Sequence, residues 1–206
     1  MNDFDEFKGL HTNTQTEQQP ILLRKLKHVE IPRSSLQEIS LMKRSPIVAV
    51  LDNIRSVHNV GAIFRTSDAL LVEQLCLCGI TATPNTHPEL QKTALGAQDT
   101  VPWAYYSHTT DALVALRKAG YQIAALEITN LSRMIQSVQQ DEFPIALVVG
   151  HEVFGVSDEA IALCDFALEL PQFGVKQSLN VSVAYGIALY GLVNQLDIFT
   201  SSGLSR

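Results

Sequence analysis

The sequence predicts an α/β fold, a mostly parallel β-sheet with helices on both faces. The first observation is that six short apolar and β-branched runs alternate with helix-like segments from residue 46 onward. Strands that alternate with helices pair in parallel, because each connecting helix returns the chain to the same end of the sheet. The second observation is composition, since 46% of the 206 residues are hydrophobic and 17% are charged. These values are typical of a chain that buries a substantial core.

The predicted elements follow one another without an internal repeat. The strands are continuous apolar runs, as expected where both faces of a sheet are covered, at residues 47–51, 74–78, 101–105, 121–126, 145–149 and 166–170. The helices are predicted at residues 59–71, 87–94, 111–119, 157–163 and 178–197. In the first helix Val60, Ile63 and Phe64 are expected to face the core.

Residues 1–45 are predicted to form an N-terminal extension, residues 46–200 the main domain and residues 201–206 a tail. The first twenty residues are polar and without periodicity, which predicts disorder. Short helices are predicted at residues 21–29 and 34–42. No apolar run approaches the roughly 18 residues of a membrane helix, and the polar start does not match a secretory signal. We therefore expect a cytoplasmic protein with no membrane partner.

Charge is unevenly distributed along the chain. The net charge is −6 and the isoelectric point is near 5.4, which argues against non-specific nucleic-acid binding by the whole surface. Residues 24–44 are an exception, because they hold six cationic residues and two acidic ones. This segment could contact phosphates, or it could simply be a solvated stretch of chain. The cationic residues are Arg24, Lys25, Lys27, Arg33, Lys43 and Arg44.

Signatures of metal, nucleotide and hydrolase sites are missing from the sequence. Cys76, Cys78 and Cys164 are too few for a zinc site or a disulfide framework, and the first two should share one buried face of a strand. Neither G-x-G-x-x-G nor G-x-x-x-x-G-K-[ST] occurs. His151-Glu152 lacks the second histidine of a zinc protease, and no nucleophile elbow follows. We expect no metal.

Three polar segments follow predicted strands, where ligands bind in parallel sheets. The first contains the pattern N-x-G-x-x-x-R at Asn59, Gly61 and Arg65. Asn59 is a candidate helix N-cap, and the free N–H groups of a helix start attract anions. Gly61 would let another group approach this helix closely. Taken alone, the pattern is explained as well by a cap and a surface charge.

The second and third segments also combine a turn with polar side chains. The second places the carboxylate of Glu152 between Gly150 and Gly155, and the latter permits a sharp turn. The third follows Leu170 and leads through residues 171–180 into the last helix. Its backbone-rich turn suits a ligand read by main-chain groups. A plainer interpretation is a loop with Ser178 as helix N-cap and Asn180 in the first turn.

In this order, the three segments resemble the motifs of the SpoU (TrmH-like) branch of the SPOUT RNA methyltransferases. Those motifs read N-x-G-x-x-x-R, G-x-E-x-x-G and P-x-x-G-x-x-x-S-L-N-V-S, and this chain matches each of them. Residues 92–97, Lys-Thr-Ala-Leu-Gly-Ala, also look like a family segment. The resemblance covers about residues 46–196 and leaves residues 1–45 outside.

The resemblance implies a deep C-terminal trefoil knot, a homodimer, and methyl transfer from S-adenosylmethionine to a ribose 2′-oxygen of tRNA or rRNA. Cofactor contacts are then expected from Leu126, Gly150, Leu170, Ser178 and Leu179. The catalytic group is expected to comprise Arg65, Asn59, Glu152, Ser178 and Asn180. RNA contacts are expected from Arg55, His58, Arg65 and Lys176.

Arg65 is the residue to which the resemblance assigns the reaction, with Asn59 in support. Family proposals give the arginine a general-base role, but guanidinium groups hold their proton above about pH 12. Alternatively, Arg65 binds the adjacent phosphate and stabilises the developing alkoxide, while another acceptor or water takes the proton. Two other functions stay open, a catalytically silent knotted RNA-binding module and a small-molecule methyltransferase or other α/β enzyme. Cofactor binding would count against the silent module.

Overall fold

A computed structural model describes residues 23–32 and 34–196 of the chain, in two units. The first unit ends at Ser34, and its described part contains the 3-10 turn His28–Glu30. There the Arg24 guanidinium donates to both oxygens of Glu30, at 3.0 and 2.7 Å. The helix predicted at residues 21–29 is wrong where it can be assessed, because the chain before His28 is not helical. The predicted disorder of the first twenty residues and the predicted tail lie outside the described residues.

The second unit is built on a seven-stranded parallel sheet, which confirms the predicted fold class. The sheet order is β3-β2-β1-β6-β4-β7-β5. The six predicted strands are present, and a two-residue strand, β5, adds to the sheet edge beside β7. The strands are β1 Ser45–Asp52, β2 Val72–Cys78, β3 Trp103–Tyr106, β4 Gln122–Leu126, β5 Arg133–Met134, β6 Ile145–Val149 and β7 Phe166–Glu169.

Helices cover both faces of the sheet. The α-helices are α1 Leu36–Leu41, α2 Val57–Ala69, α3 Pro88–Ala94, α4 Ala97–Thr100, α5 Thr109–Lys118, α6 Asp158–Ile161 and α7 Val181–Gln195. On one face α2, α3 and α7 bury a core that includes Ile63, Phe64 and Tyr185. On the other face α5 and α6 bury a second core that includes Leu113 and Ala160. The short helix predicted at residues 34–42 is present as α1.

Cys76 and Cys78 lie side by side in the second core, as their alternation predicted. Both are fully buried, and burial raises the pKa of each thiol to about 12. They therefore act as small apolar side chains. Within residues 23–32 and 34–196, no group of three or more His, Cys, Asp or Glu residues could hold a metal ion. In the same residues, no helix has the length and apolar character to cross a bilayer.

Two helices begin at residues other than those predicted. The N-cap of α2 is Ser56, whose hydroxyl accepts from the Asn59 N–H at 3.4 Å, so the prediction of Asn59 as N-cap is wrong. The N-cap of α7 is Asn180, whose side-chain oxygen accepts from the Ser182 N–H at 2.9 Å. The last helix therefore does not include Ser178, and Ser178 does not cap it. In both cases the side chain of the observed N-cap accepts from an N–H group of the first turn.

Candidate active site

A cavity of about 580 Å³ opens where the carboxyl ends of three adjacent strands, β6, β4 and β7, meet. Its volume is within the usual range for small-ligand pockets, about 300–1,000 Å³. The strand ends supply one wall, and the segment leading into α7 supplies the other. Of the residues predicted to form the site, the lining includes Leu126, Gly150, Glu152, Leu170, Ser178, Leu179 and Asn180.

The carboxylate of Glu152 joins the first and second polar segments. It accepts from the backbone N–H groups of Arg55 at 3.0 Å and Ser56 at 2.9 Å, just before α2. It also accepts from the side-chain amide of Asn59 at 2.8 Å. The expectation that the start of this helix attracts an anion is therefore met by a carboxylate of the same chain.

The hydrogen bonds to Glu152 favour its ionised form. Burial by itself raises the pKa of this carboxyl group, but the N–H groups of Arg55, Asn59 and Ser56 together hold the pKa below its ordinary value. Glu152 therefore carries a negative charge at neutral pH while its oxygens are already hydrogen-bonded. Such a carboxylate is suited to holding a loop in place and poorly suited to accepting a proton.

The side chain of Asn59 extends this contact to the third segment. Its amide nitrogen donates to Glu152, and its oxygen accepts from the side-chain amide of Asn180 at 3.1 Å. The oxygen of Asn180 in turn caps α7. One chain of hydrogen bonds, Glu152–Asn59–Asn180, thus connects the three polar segments. We call these three residues the amide chain.

The glycines of these segments allow close packing of the backbone. A Cβ on Gly150 would lie 2.1 Å from the carbonyl carbon of Gly155, so the loop between them closes only with glycine at position 150. Gly155 has φ +70°, and a Cβ there would meet a carboxylate oxygen of Glu127 at 2.2 Å. Gly61 is approached closely as predicted, but the approaching group is Thr93 of α3.

Two acidic residues at the cavity, Glu127 and Glu169, were not identified from the sequence. Glu127 accepts from the backbone N–H groups of Val156 and Ile128, both at 3.0 Å, and so supports the turn after Gly155. Glu169 accepts from the hydroxyl of Ser132 at 2.6 Å. Both lie at the carboxyl end of a strand. Glu169 is the last residue of β7, and Glu127 directly follows β4. That position was the signal that could have identified them.

Asp52, at the end of β1, supports the same region from beneath. It is buried, and its carboxylate accepts from the Ser157 N–H at 2.8 Å and the Thr109 hydroxyl at 2.5 Å. It also accepts from the Asn53 amide at 2.9 Å. These bonds connect β1 to the chain before α6 and to the first residue of α5. The segment from Gly150 to Ser157 is thereby held at both ends.

Five predicted residues do not line the cavity of their own chain. One of them, Asn59, contacts the lining residues Glu152 and Asn180. Arg55, His58 and Lys176 are exposed outside it. Arg65 is also exposed and lies in a separate hollow between α2 and α7, beside Gly186 and Tyr190. The structure therefore brings together the predicted cofactor residues and the amide chain, but it does not bring Arg65 to the same cavity within one chain.

The exposed side of α7, next to Arg65, is apolar. Val183, Ile187 and Tyr190 are 50%, 50% and 59% exposed, respectively, and they recur at helical spacing. Leu179, which lines the cavity, is also exposed on the segment that leads into this helix. An apolar strip on a helix that borders a ligand cavity is typical of a surface that packs against another molecule.

Comparison with known proteins relates this architecture to one family. The model of the SpoU rRNA methylase family matches residues 46–190. A tRNA (guanosine(18)-2′-O)-methyltransferase of Thermus thermophilus is 30% identical over 161 residues, which cover 78% of this chain and 81% of that protein. A 23S rRNA (guanosine-2′-O-)-methyltransferase RlmB of a Burkholderia species is 32% identical, over 76% of this chain and 62% of that protein.

Solved structures agree with the sequence comparison. The TrmH/SpoU tRNA-modifying enzyme of A. aeolicus aligns with a TM-score of 0.71 and 31% identity, over 83% of this chain and 87% of that one. The AdoMet-bound rRNA methyltransferase of Sinorhizobium meliloti aligns with a TM-score of 0.68 and 26% identity, over 80% of this chain and 62% of that one.

Proposed function

The chain belongs to the SpoU rRNA methylase family, and we propose on this basis that it transfers a methyl group from S-adenosylmethionine to a ribose 2′-hydroxyl of tRNA or rRNA. The observation that carries the proposal is the amide chain. It joins the three family segments, which are far apart in sequence, around one cavity.

The cavity has the groups that S-adenosylmethionine requires. Leu126, Leu170 and Leu179 offer apolar surface to the adenine ring, and the backbone at Gly150 is unshielded by a side chain. The cofactor carries positive charge on its sulfur and its amino group, and Glu127 and Glu169 place carboxylates at the cavity. Ser178 adds a hydroxyl on the opposite wall.

When bound, S-adenosylmethionine supplies a methyl group on a positively charged sulfur, which leaves as a neutral thioether when the ribose oxygen attacks the methyl carbon. The residues of the chain must align the ribose, exclude water and stabilise the oxygen as its proton departs. Glu152 already accepts three N–H hydrogen bonds that favour its ionised form, so we do not assign it the proton. We assign water or an RNA group as the proton acceptor.

We propose that Arg65 of one subunit acts on a ribose bound at the cavity of the partner subunit. It lies in a hollow on the α7 side, beside the exposed apolar strip of Val183, Ile187 and Tyr190, and not in its own cavity. Pairing of two such strips in a homodimer would bring the Arg65 of one subunit toward the cavity of the other. The guanidinium would then bind the phosphate next to the target ribose and stabilise the developing oxyanion.

The proposal also includes RNA contacts, the knot and the location of the protein. Arg55, His58 and Lys176 are exposed cationic or titratable side chains around the cavity segments, and we propose that they contact RNA phosphates. Arg44 of the basic segment is held against its own chain, because its guanidinium donates to the carbonyls of Val72 at 3.0 Å and Thr100 at 2.7 Å, and we do not assign it an RNA contact. We also propose the C-terminal trefoil knot that the family resemblance implies, and a cytoplasmic location.

Mapping of ribose methylation tests the proposal. In cells that lack the gene, one 2′-O-methyl mark in tRNA or rRNA should be missing, and the wild-type gene should restore it. Arg65→Ala should fail to restore the mark, whereas the matched control Lys118→Ala, an exposed cation on α5 at the other face of the sheet, should restore it. An unchanged methylation map, or full restoration by Arg65→Ala, would refute the reaction or the assignment, respectively.

Calorimetry with the cofactor tests the alternative of a catalytically silent RNA-binding module. The purified wild type should bind S-adenosylmethionine, and Arg65→Ala should bind it with the same affinity because Arg65 lies outside the cavity. Absence of binding to the wild type would favour the silent module.

A further inference from the structure

The loop that carries Glu152 also displays an aromatic ring at the entrance of the cavity. His151 and Gly155 are bonded to each other in both directions, with N···O distances of 2.9 and 2.8 Å. The three residues between them form a tight turn. Glu152 points from this turn to Asn59, whereas Phe154 is exposed and lines the cavity. The position of Phe154 is therefore fixed relative to Glu152 by two short backbone hydrogen bonds.

The ring of Phe154 is stacked on the imidazole of His151. The ring centroids are 4.9 Å apart, and the two planes differ by 29°. The imidazole is itself held, because its Nδ1 accepts from the backbone N–H of Val153 at 3.0 Å. Side-chain motion of an exposed phenylalanine is thus restricted by a neighbour whose own orientation is fixed. Preorganisation of this kind lowers the entropy cost of binding a flat ligand.

The exposed face of this aromatic pair has no partner in the described part of the chain. Phe154 is 84% exposed, which is unusual for a large apolar side chain, although it stands beside polar groups of the active site. The hydrogen bonds of Glu152 hold the backbone of Arg55 next to the same turn. A flat apolar surface beside an exposed arginine suits an unpaired nucleotide, whose base stacks while its phosphate is bound.

We propose that the Phe154–His151 pair is a stacking platform for an unpaired base of the substrate RNA, at the nucleotide whose ribose is methylated. This inference rests on the proposed function, because it places the platform relative to the methyl acceptor. A base stacked on Phe154, which lines the cavity, would bring its nucleotide next to the proposed cofactor site. Any base can stack on a phenyl ring, and hence the platform selects for an unpaired nucleotide and not for one base.

Two other occupants fit the structure less well. The adenine of the cofactor can pack against less exposed apolar side chains of the cavity, such as Leu126 and Leu170, whereas Phe154 is 84% exposed to solvent. A second copy of the chain is proposed to pack against the apolar strip of α7, and Phe154 is not part of that strip. Each of these occupants predicts a different experimental result.

The test compares Phe154→Leu with Phe154→Trp in steady-state methyl transfer from tritiated S-adenosylmethionine, with bulk RNA from cells lacking the gene as acceptor. Loss of one base stack corresponds to roughly ten- to hundredfold in binding. We therefore expect Phe154→Leu to raise the KM for RNA by about tenfold or more. Phe154→Trp, which keeps an aromatic face, should stay within about threefold of the wild type. The calorimetric affinity for S-adenosylmethionine and the sedimentation coefficient should not change in either variant.

Tyr105→Leu is the control, since Tyr105 is 50% exposed on β3, at the sheet edge away from the cavity, and does not line it. Its KM for RNA should equal that of the wild type. An unchanged KM for RNA in Phe154→Leu would overturn the platform. An equal rise of this KM in Phe154→Leu and Phe154→Trp would also overturn it. Weakened cofactor binding would assign Phe154 to adenine, and an altered sedimentation coefficient would assign it to a second copy. If the wild type itself transfers no methyl group, the proposed function fails.

Discussion

Glu152 is a carboxylate whose hydrogen bonds hold two segments of the proposed active site together. Its oxygens accept from two backbone N–H groups before α2 and from the amide of Asn59. The same residue begins the turn that displays Phe154. Hydrogen bonds to a charged group contribute about 1.5–3 kcal/mol each, more than those between neutral groups. The position of the loop should therefore depend strongly on this one side chain.

Glu152→Gln is expected to lower both stability and activity at neutral pH. Glutamine has the same shape but only one acceptor oxygen and no charge, so at least one N–H donor of Arg55, Ser56 or Asn59 is left unsatisfied. We expect a loss of about 1.5–3 kcal/mol in the free energy of unfolding, measured by urea denaturation. Methyl transfer should fall further than stability explains, because Asn59 also contacts Asn180.

The prediction is checked by measuring how the difference in the free energy of unfolding between wild type and Glu152→Gln depends on pH. The pKa of Glu152 is lowered in the folded state, so its stabilising contribution is complete above the pKa of the unfolded chain, about 4.3, and is lost as pH falls through the folded value. The gap between wild type and Glu152→Gln should be constant above about pH 5.5 and should shrink in more acidic solution. A gap that widens as pH falls would contradict this account.

At the scale of the elements, the contact between α2 and α7 positions the site. Tyr185 of α7 is fully buried, and its hydroxyl lies 2.7 Å from the hydroxyl of Ser67 on α2. Ser67 also donates to the carbonyl of Ile63 at 2.7 Å. Burial raises the pKa of Tyr185, so the phenol stays protonated and can donate. This polar contact within the first core fixes the relative position of the helices that carry Arg65 and the apolar strip.

Tyr185→Phe should destabilise the fold by about 1 kcal/mol, since it removes one buried hydrogen bond and leaves Ser67 with its bond to Ile63. The matched control is Tyr105→Phe. The Tyr105 hydroxyl also donates one hydrogen bond, to the Gly79 carbonyl at 3.1 Å, but Tyr105 is exposed. Its effect should stay within about 0.5 kcal/mol. Chemical denaturation of both variants gives the comparison, and equal losses would contradict the assigned role of burial.

Gly61→Ala tests the close packing of α2 against α3. The added Cβ would lie 2.1 Å from the Thr93 hydroxyl oxygen and 2.9 Å from its backbone carbon, so α3 must shift. Overpacking costs about 1–3 kcal/mol, and the better helix propensity of alanine offsets up to about 1 kcal/mol of it. A net loss near 1–2 kcal/mol is expected by denaturation. Gly186→Ala, whose nearest contact would be 3.7 Å, should be neutral or stabilising, and a loss as large as that of Gly61→Ala would exclude steric crowding as the cause.

The elements and the site were predictable to different extents. Continuous apolar runs identified the six longer strands, because a strand covered on both faces needs no polar alternation. The strand β5 has only two residues, Arg133 and Met134, and carries no periodic signal. Seven residues of the cavity lining were predicted from the family resemblance, whereas Glu127 and Glu169 were not. The amide chain could not be predicted, since Asn59 is 93 residues from Glu152 and 121 residues from Asn180. Contacts over such separations depend on side-chain orientation.

At the scale of the whole molecule, the separation of Arg65 from its own cavity is the main consequence of the fold. The proposed reaction needs the guanidinium near the ribose, and one chain does not provide it. A symmetric pair would bury the same apolar strip on both subunits and would complete two sites at once. Activity should therefore depend on association of two chains, whereas cofactor binding draws on side chains that a single chain already assembles.

Ile187→Glu tests this dependence directly. Ile187 is 50% exposed at the middle of the strip, and a glutamate there would place an unpaired charge from each subunit in the proposed interface. Burying an unpaired charge costs about 3–5 kcal/mol, so dimerisation should weaken by more than a hundredfold. Sedimentation velocity should then show a monomer that folds normally, binds S-adenosylmethionine and does not transfer methyl groups.

The control for Ile187→Glu is Val114→Glu, which changes an apolar residue, 43% exposed, to the same charge on α5. Because α5 covers the other face of the sheet, this variant should remain dimeric and active. Mixing Ile187→Glu with Arg65→Ala chains, which keep the strip but lack the guanidinium, should not restore transfer, since the charge would still face the apolar strip of its partner. An Ile187→Glu monomer with full activity would show that Arg65 reaches the cavity within its own chain. A dimer that persists would move the interface away from α7.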